Sequence, residues 1–209
     1  MKALIISIHT EHTLDILNGT KTRELRKSIP KGFIGWVYGY VTKGKPYLWS
    51  YGRIKENSDW EWETVYQTTQ PFHARFSDNL NGTIPFRFWF EEYISYKYYA
   101  DDNTYFVKRP QDFGYGAEGV LKSLCLTRDE FKEYGKGKGL YAWHIKKLDT
   151  FYEPMQLSDF YRGTFYDAPF KLSTLKKGEY INKVKWLEMS TLKHPPQSWR
   201  YVYVKEVKE

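Results

Sequence analysis

The sequence predicts a β-rich α+β domain with a curved or closed sheet. Three observations carry that expectation: runs with strand character are many and short, helical ones are few, and 8 Trp, 19 Tyr and 13 Phe are far more aromatics than a disordered chain carries. A length of 209 residues suits one elaborated domain or two small ones. With no internal repeat and no low-complexity linker, we expect a single domain over residues 1–209.

The chain opens with Ala3-Leu-Ile-Ile-Ser-Ile8, a near-continuous apolar run such as a strand shows when both faces are covered. At six residues it is far shorter than the roughly 20 of a membrane helix. A protein without a membrane segment, residing in the cytoplasm, is therefore expected. Thr10 stands as an N-cap, Glu11 suits a first helical turn, Leu14 and Leu17 share a face, and Asn18-Gly19 is a stop signal.

After Gly19 the period changes to two. A strand through Thr22-Arg23-Glu24-Leu25-Arg26 puts Leu25 toward the core and Glu24 with Arg26 on the opposite face. Further strands are expected at Gly35 to Val41 and Tyr47 to Ile54. Another follows the Asn81-Gly82 turn, where Phe86, Phe88 and Phe90 alternate with Arg87 and Trp89. Adjacent Glu91 and Glu92 break the alternation and suggest a bulge. Thr127 precedes a short helix, Arg128 to Tyr134, that ends in the Gly-Lys-Gly-Lys-Gly run from Gly135. Leu140 to Leu148 and Ser198 to Val204 read as late strands, and about 150–196 as a C-terminal elaboration on the same core.

Charge adds a hint of partner. The net charge is +7, distributed as +6 over residues 1–56, −4 over 57–114 and +5 over the rest. Two basic ends around an acidic middle can form a field that attracts polyanions, although ordinary solvated charge gives the same count.

Several patterns carry no chemistry by themselves. Gly114-Tyr-Gly116-Ala-Glu-Gly119 matches a dinucleotide pattern, yet Pro110 interrupts the approach and no strand-helix series surrounds it, so a loop is expected. The Gly135 to Gly139 run lacks the ending of a phosphate loop and reads as a basic turn. Trp60, Trp62, Thr64 and Tyr66 lie at period two and could stack bases, though core packing is the simpler use. His9, His12, His73, His144 and His194 lack metal-ligand spacing, and Cys125 has neither a disulfide partner nor an adjacent base. Neither a metal nor a cofactor is expected.

The more specific signal is Gly19-Thr20-Lys21-Thr22-Arg23-Glu24-Leu25-Arg26. It sets an ammonium, a carboxylate and a guanidinium within six residues. Such a cluster could bind a phosphate or a polar base, with the carboxylate fixing the cations; a surface ion-pair network is the simpler alternative.

Those eight residues fit the G-x-K-x-x-E-x-R motif, and through them the chain resembles the ASCH family of PUA-like β-barrels. Ile8 to Pro30, Gly35 to Lys43, the Phe-rich run after Asn81-Gly82, Ser123 to Glu130 and Tyr141 to Ile145 are similar to successive family segments. Pro195-Pro-Gln-Ser-Trp199 resembles the close of the larger, prophage-type members. The resemblance implies a PUA-like β-barrel with short flanking helices and a ligand cleft lined by Lys21, Glu24 and Arg26. It further implies RNA, another single-stranded nucleic acid, or a modified nucleoside as partner, in a role that could be regulatory. Some members are ribonucleases or N4-acetylcytidine-type amidohydrolases, and in a hydrolase Lys21 would act as base or nucleophile with Glu24 moving protons. The amidohydrolases carry threonine where this chain has Glu24. Such an enzyme needs a second general acid or base facing Lys21, for which His144 and Ser198 stand as candidates. A protein-interaction adaptor, with the motif purely structural, is the third possibility.

Overall fold

The computed structural model describes residues 1–54, 60–69, 77–100, 104–107, 117–167 and 185–204. The strands are β1 (Lys2–Ile8), β2 (Arg23–Arg26), β3 (Gly35–Val41), β4 (Tyr47–Ile54), β5 (Trp60–Thr68), β6 (Ser77–Asn79), β7 (Ile84–Phe90), β8 (Tyr93–Tyr99), β9 (Thr104–Val107), β10 (Leu140–His144), β11 (Lys146–Met155), β12 (Phe160–Asp167), β13 (Lys185–Thr191) and β14 (Trp199–Val204). Among the described residues three α-helices accompany them: α1 (Thr10–Leu17), α2 (Ala117–Leu124) and α3 (Arg128–Gly135).

The strands form a seven-stranded sheet in the order β11-β7-β3-β1-β14-β12-β13, a four-stranded sheet β2-β10-β8-β9 and a three-stranded sheet β5-β4-β6. This is an α+β architecture. Among the described residues no pairing closes a sheet into a barrel. Strand β1 lies in the middle of the large sheet, parallel to β3 and antiparallel to β14. Its apolar run is covered on both faces as expected, since Ala3, Leu4, Ile5 and Ile6 are all 0% exposed.

Alternation along β1 divides the core. Ala3 and Ile5 pack with Tyr38, Tyr40, Phe160 and Val202, while Leu4, Ile6 and Ile8 pack with Val37, Phe86, Phe88, Phe90 and Trp143. Trp143 comes from the four-stranded sheet, so the second cluster lies between the two sheets. The other face of the smaller sheet is covered by α2 and α3, whose Val120, Leu124 and Phe131 meet Leu25, Ile94 and Ala142. No helix among the described residues is long and apolar enough to cross a membrane.

Some expectations need correction. The N-cap of α1 is His9, whose carbonyl accepts from the Thr13 amide, so Thr10 is the first helical residue and is buried. Glu91 and Glu92 form no bulge; they are the corner where the chain leaves the large sheet after β7 and enters the smaller one at β8. The run Leu140 to Leu148 is split at Ile145 between two sheets. Gly119 lies inside α2 and not in a loop, while Gly114 and Gly116 fall outside the described residues. The C-terminal stretch contributes β12 and β13 to the large sheet; its residues 168–184 are outside the described set. The side chains of Trp60, Trp62, Thr64 and Tyr66 are also outside it, as is His73, although the strand that carries the aromatic series is present.

Candidate functional site

The turn after α1 sets the site. Asn18 caps the helix and Gly19 takes φ +73, a conformation that costs glycine nothing, and the chain folds back on itself. The Thr20 and Lys21 amides both donate to the Asp15 carbonyl at 3.0 Å, which draws Lys21 against α1. The Thr22 amide donates to the Ser123 carbonyl at the end of α2, and the Thr22 carbonyl accepts from the Ile145 amide. The segment is therefore fixed before β2 begins.

Pairing with β10 then decides which way each side chain points. Glu24 lies opposite Trp143, Leu25 opposite Ala142 and Arg26 opposite Tyr141, and directly opposed residues share a face. Leu25 accordingly turns to the helix-covered side and is 5% exposed. Glu24 and Arg26 turn into the gap between the two sheets. They are not on an open surface: Lys21 is 2% exposed, Glu24 5% and Arg26 6%.

Three buried charges need partners, because an unpaired one would cost several kcal/mol, on the order of 3–5. Lys21 Nζ donates to the Leu124 carbonyl at 2.6 Å and stands 3.7 Å from Glu24 Oε2. Arg26 Nη2 bonds Glu24 Oε1 at 3.0 Å and donates to the Ser7 carbonyl at 2.7 Å, while Nη1 reaches the Ser198 carbonyl at 3.4 Å. Two atoms of the cluster are left over. Glu24 Oε2 and Arg26 Nε are buried without a hydrogen-bond partner.

These residues line a cleft of about 820 Å³. One wall is the end of β1 and the start of α1, with Ser7, His9 and His12; another is α3 and the turn after it, with Glu130, Tyr134 and Lys136; Pro195, Pro196 and Gln197 close a third side. The Ser7 hydroxyl donates to the Pro196 carbonyl, which holds that third side against β1. The charged side chains around the cleft balance, with Glu11, Glu24, Glu130 and Glu133 against Lys21, Arg26, Lys27 and Lys136. The cleft is thus neutral overall, although the chain as a whole carries a net charge of +7.

Tyr134 is the aromatic group of the lining. Lys27 Nζ lies 4.9 Å from its ring centre, and burial raises its phenol above the usual range, so the hydroxyl stays protonated. The basic turn expected at Gly135 to Gly139 does reach the site through Lys136, which ends α3 in a left-handed conformation.

His12 is the residue that sequence reasoning passed over, because histidines were weighed there for metal spacing alone. It is half-buried and lines the same cleft as Lys21 and Glu24. Burial first and then the nearby Lys21 charge lower its pKa from the ordinary 6.5, leaving a neutral ring at pH 7. Its position in the first turn of a helix folded back by Gly19 is the signal that could have found it.

The other candidates lie apart. His144 Nδ1 contacts Glu92 Oε1 at the exposed sheet corner, outside the cleft lining. Ser198 contributes its backbone carbonyl to Arg26. Cys125 is half-buried, with φ +53 between α2 and α3. No group of three or more His, Cys, Asp or Glu among the described residues is arranged to hold a metal.

Among solved structures the chain is similar to that of ASCH from Zymomonas mobilis, at 14% identity and a TM-score of 0.42, with 95% of this chain and 86% of that one covered. It is similar to a point variant of the same protein at 14% identity and a TM-score of 0.43, over 96% and 90% of the two chains. No family model matches the sequence, and no curated protein matches it.

Proposed function

We propose that this chain is an ASCH-type protein of PUA-like barrel architecture whose cleft binds a nucleobase, in single-stranded RNA or in a modified nucleoside. One observation carries the reading: Glu24 Oε2 is a buried acceptor that receives no hydrogen bond in a charge-balanced cleft, its nearest cation, Lys21 Nζ, standing 3.7 Å away. A buried carboxylate oxygen without a hydrogen bond is costly, by roughly 1–3 kcal/mol or more, and a ligand N–H relieves that cost. Nucleobases offer such donors, and carboxylates accept from the exocyclic amine of cytosine in known recognition geometry. Arg26 Nε provides a second unpartnered atom, a donor, to the same cluster.

Size and charge favour a base over a phosphate. About 820 Å³ falls within the range of roughly 300–1,000 Å³ typical of small-molecule sites. A phosphate approaching Lys21 and Arg26 would meet Glu24 between them, and both cations already spend donors on backbone carbonyls. Tyr134 supplies a ring face on which a base can stack, worth about 1–3 kcal/mol.

A second reading, hydrolysis at this cleft in the manner of a ribonuclease or amidohydrolase, is favoured by His12, a neutral imidazole on the same lining as Lys21. The ammonium contacts count against Lys21 as its base. Abstracting a proton would first require breaking the bond to Leu124 and the pairing with Glu24.

The test is calorimetric titration of wild type and Glu24→Gln with the four ribonucleosides, N4-acetylcytidine and short single-stranded RNA, with products followed by chromatography. Binding without turnover, weakened at least tenfold in Glu24→Gln, supports the reading. Turnover moves the assignment to the hydrolase, and no binding to any of these ligands ends both.

A further inference from the structure

We propose that His12 is the second ligand-contact residue of this cleft, its unprotonated imidazole accepting a hydrogen bond from the bound base, so that pH sets the occupancy of the site. The inference rests on the nucleobase reading above. It begins from the fold-back at Gly19, which seats Lys21 beside the first turn of α1 and so brings His12 and the Lys21–Glu24 pair onto one lining. The His12 ring makes no hydrogen bond to any described residue, although the residue is half-buried; the other polar groups of the cluster are largely engaged.

Its chemistry differs from theirs. Lys21 and Arg26 can only donate and ionised Glu24 can only accept, whereas a neutral imidazole carries one donor and one acceptor nitrogen. Base edges alternate donors and acceptors, so a group able to do both complements any register in which Glu24 takes the ligand N–H.

The charge state of the ring follows from everything packed around it. On its own helix Glu11 and Asp15 favour protonation, as does Glu24 from β2. Burial and the Lys21 ammonium oppose it and prevail. From α3, Glu130 also faces the ring, but its carboxylate is engaged by the Thr127 amide and hydroxyl at 2.8 Å. A proton on His12 would occupy the accepting nitrogen, and therefore competes directly with the ligand.

The experiment titrates wild type, His12→Asn and His12→Phe with cytidine and with a single-stranded hexaribonucleotide, each between pH 5 and 8. In parallel, NMR follows the imidazole resonance of His12, identified by its loss in the variants. Wild-type affinity should be level near pH 8 and fall by up to about tenfold per pH unit below the His12 midpoint, and ligand should lower that midpoint further. Asparagine keeps an acceptor that does not titrate, so His12→Asn should bind within a few-fold of wild type with a flat profile. His12→Phe should lose about two- to tenfold at pH 8. Unchanged binding by His12→Phe, or the wild-type pH slope retained in His12→Asn, overturns the role of His12 and leaves the nucleobase reading standing. Absence of wild-type binding at every pH overturns both.

Discussion

Lys21 Nζ meets the carbonyl of Leu124 at 2.6 Å across 103 positions of sequence, so the lysine that lines the cleft also helps the Thr22 amide hold the end of α2 to the start of β2. The same ammonium faces Glu24. Positioning of the helix layer and charge balance in the cleft are therefore one arrangement, and changes to either should be felt in both.

Removing the carboxylate is the direct way to see this. Glu24→Ala leaves an ammonium and a guanidinium buried around an empty site and should destabilise the fold by about 3–5 kcal/mol. Glu24→Gln keeps the shape and one acceptor and should cost less, nearer the 1.5–3 kcal/mol of a charged hydrogen bond. Urea unfolding measures both, and a loss below about 0.5 kcal/mol in Glu24→Ala would mean that water screens the cluster.

Leu25 sits between two buried charged residues yet faces a different layer. Leu25→Ala should cost about 2–5 kcal/mol through the cavity left among Val120, Leu124 and Phe131. Amide exchange in α2 and α3 should speed up more than in β1. Equal protection changes in the two layers would contradict the placement of Leu25 against the helices.

Gly39 is fixed by its neighbour. A Cβ there would clash with the Cζ edge of the Phe86 ring, which is itself fully buried. Gly39→Ala should destabilise by about 1–3 kcal/mol, and Gly39→Ala with Phe86→Leu should be more stable than the sum of the two single changes predicts. Strict additivity in the double-mutant cycle would show that the two positions do not meet.

His12 also predicts a pH dependence of stability. The folded protein holds its pKa below the ordinary 6.5, so as pH falls the unfolded chain takes up the proton first. The contribution of the neutral ring is complete above pH 6.5, is lost as pH drops from there toward the folded midpoint, and levels off below it. Urea midpoints at pH 8, 6.5 and 5.5 should fall more in wild type than in His12→Asn. Parallel curves would refute it.

The first third of the fold was legible because its punctuation is local. The Ala3 to Ile8 run, the Asn18-Gly19 stop and the period-two segment around Leu25 each specify an element within a few residues. Depth was not legible. Alternation placed Glu24 and Arg26 on one face but could not tell that a second sheet covers it, since that sheet's contact comes through Trp143 and the end of β1. Helix α2 escaped because Gly119 and the preceding glycines read as a loop. The cleft itself joins residues 7–12, 21–27, 42, 126–136 and 195–197, five segments whose meeting no local pattern encodes.

The two carbonyls that receive Arg26 come from segments far apart in sequence, Ser7 near the close of β1 and Ser198 just before β14, 172 positions from the arginine. For a chain emerging from the ribosome this sets an order of events. Lys21, Glu24 and Arg26 are synthesised well before the wall formed by Pro195 to Gln197 and the antiparallel neighbour of β1. Contacts of such long range form late, after the entropy of closing the chain has been overcome. A chain that stops short of Pro195 therefore carries the whole motif but lacks the third wall of the cleft and the carbonyl of Ser198 that receives Arg26.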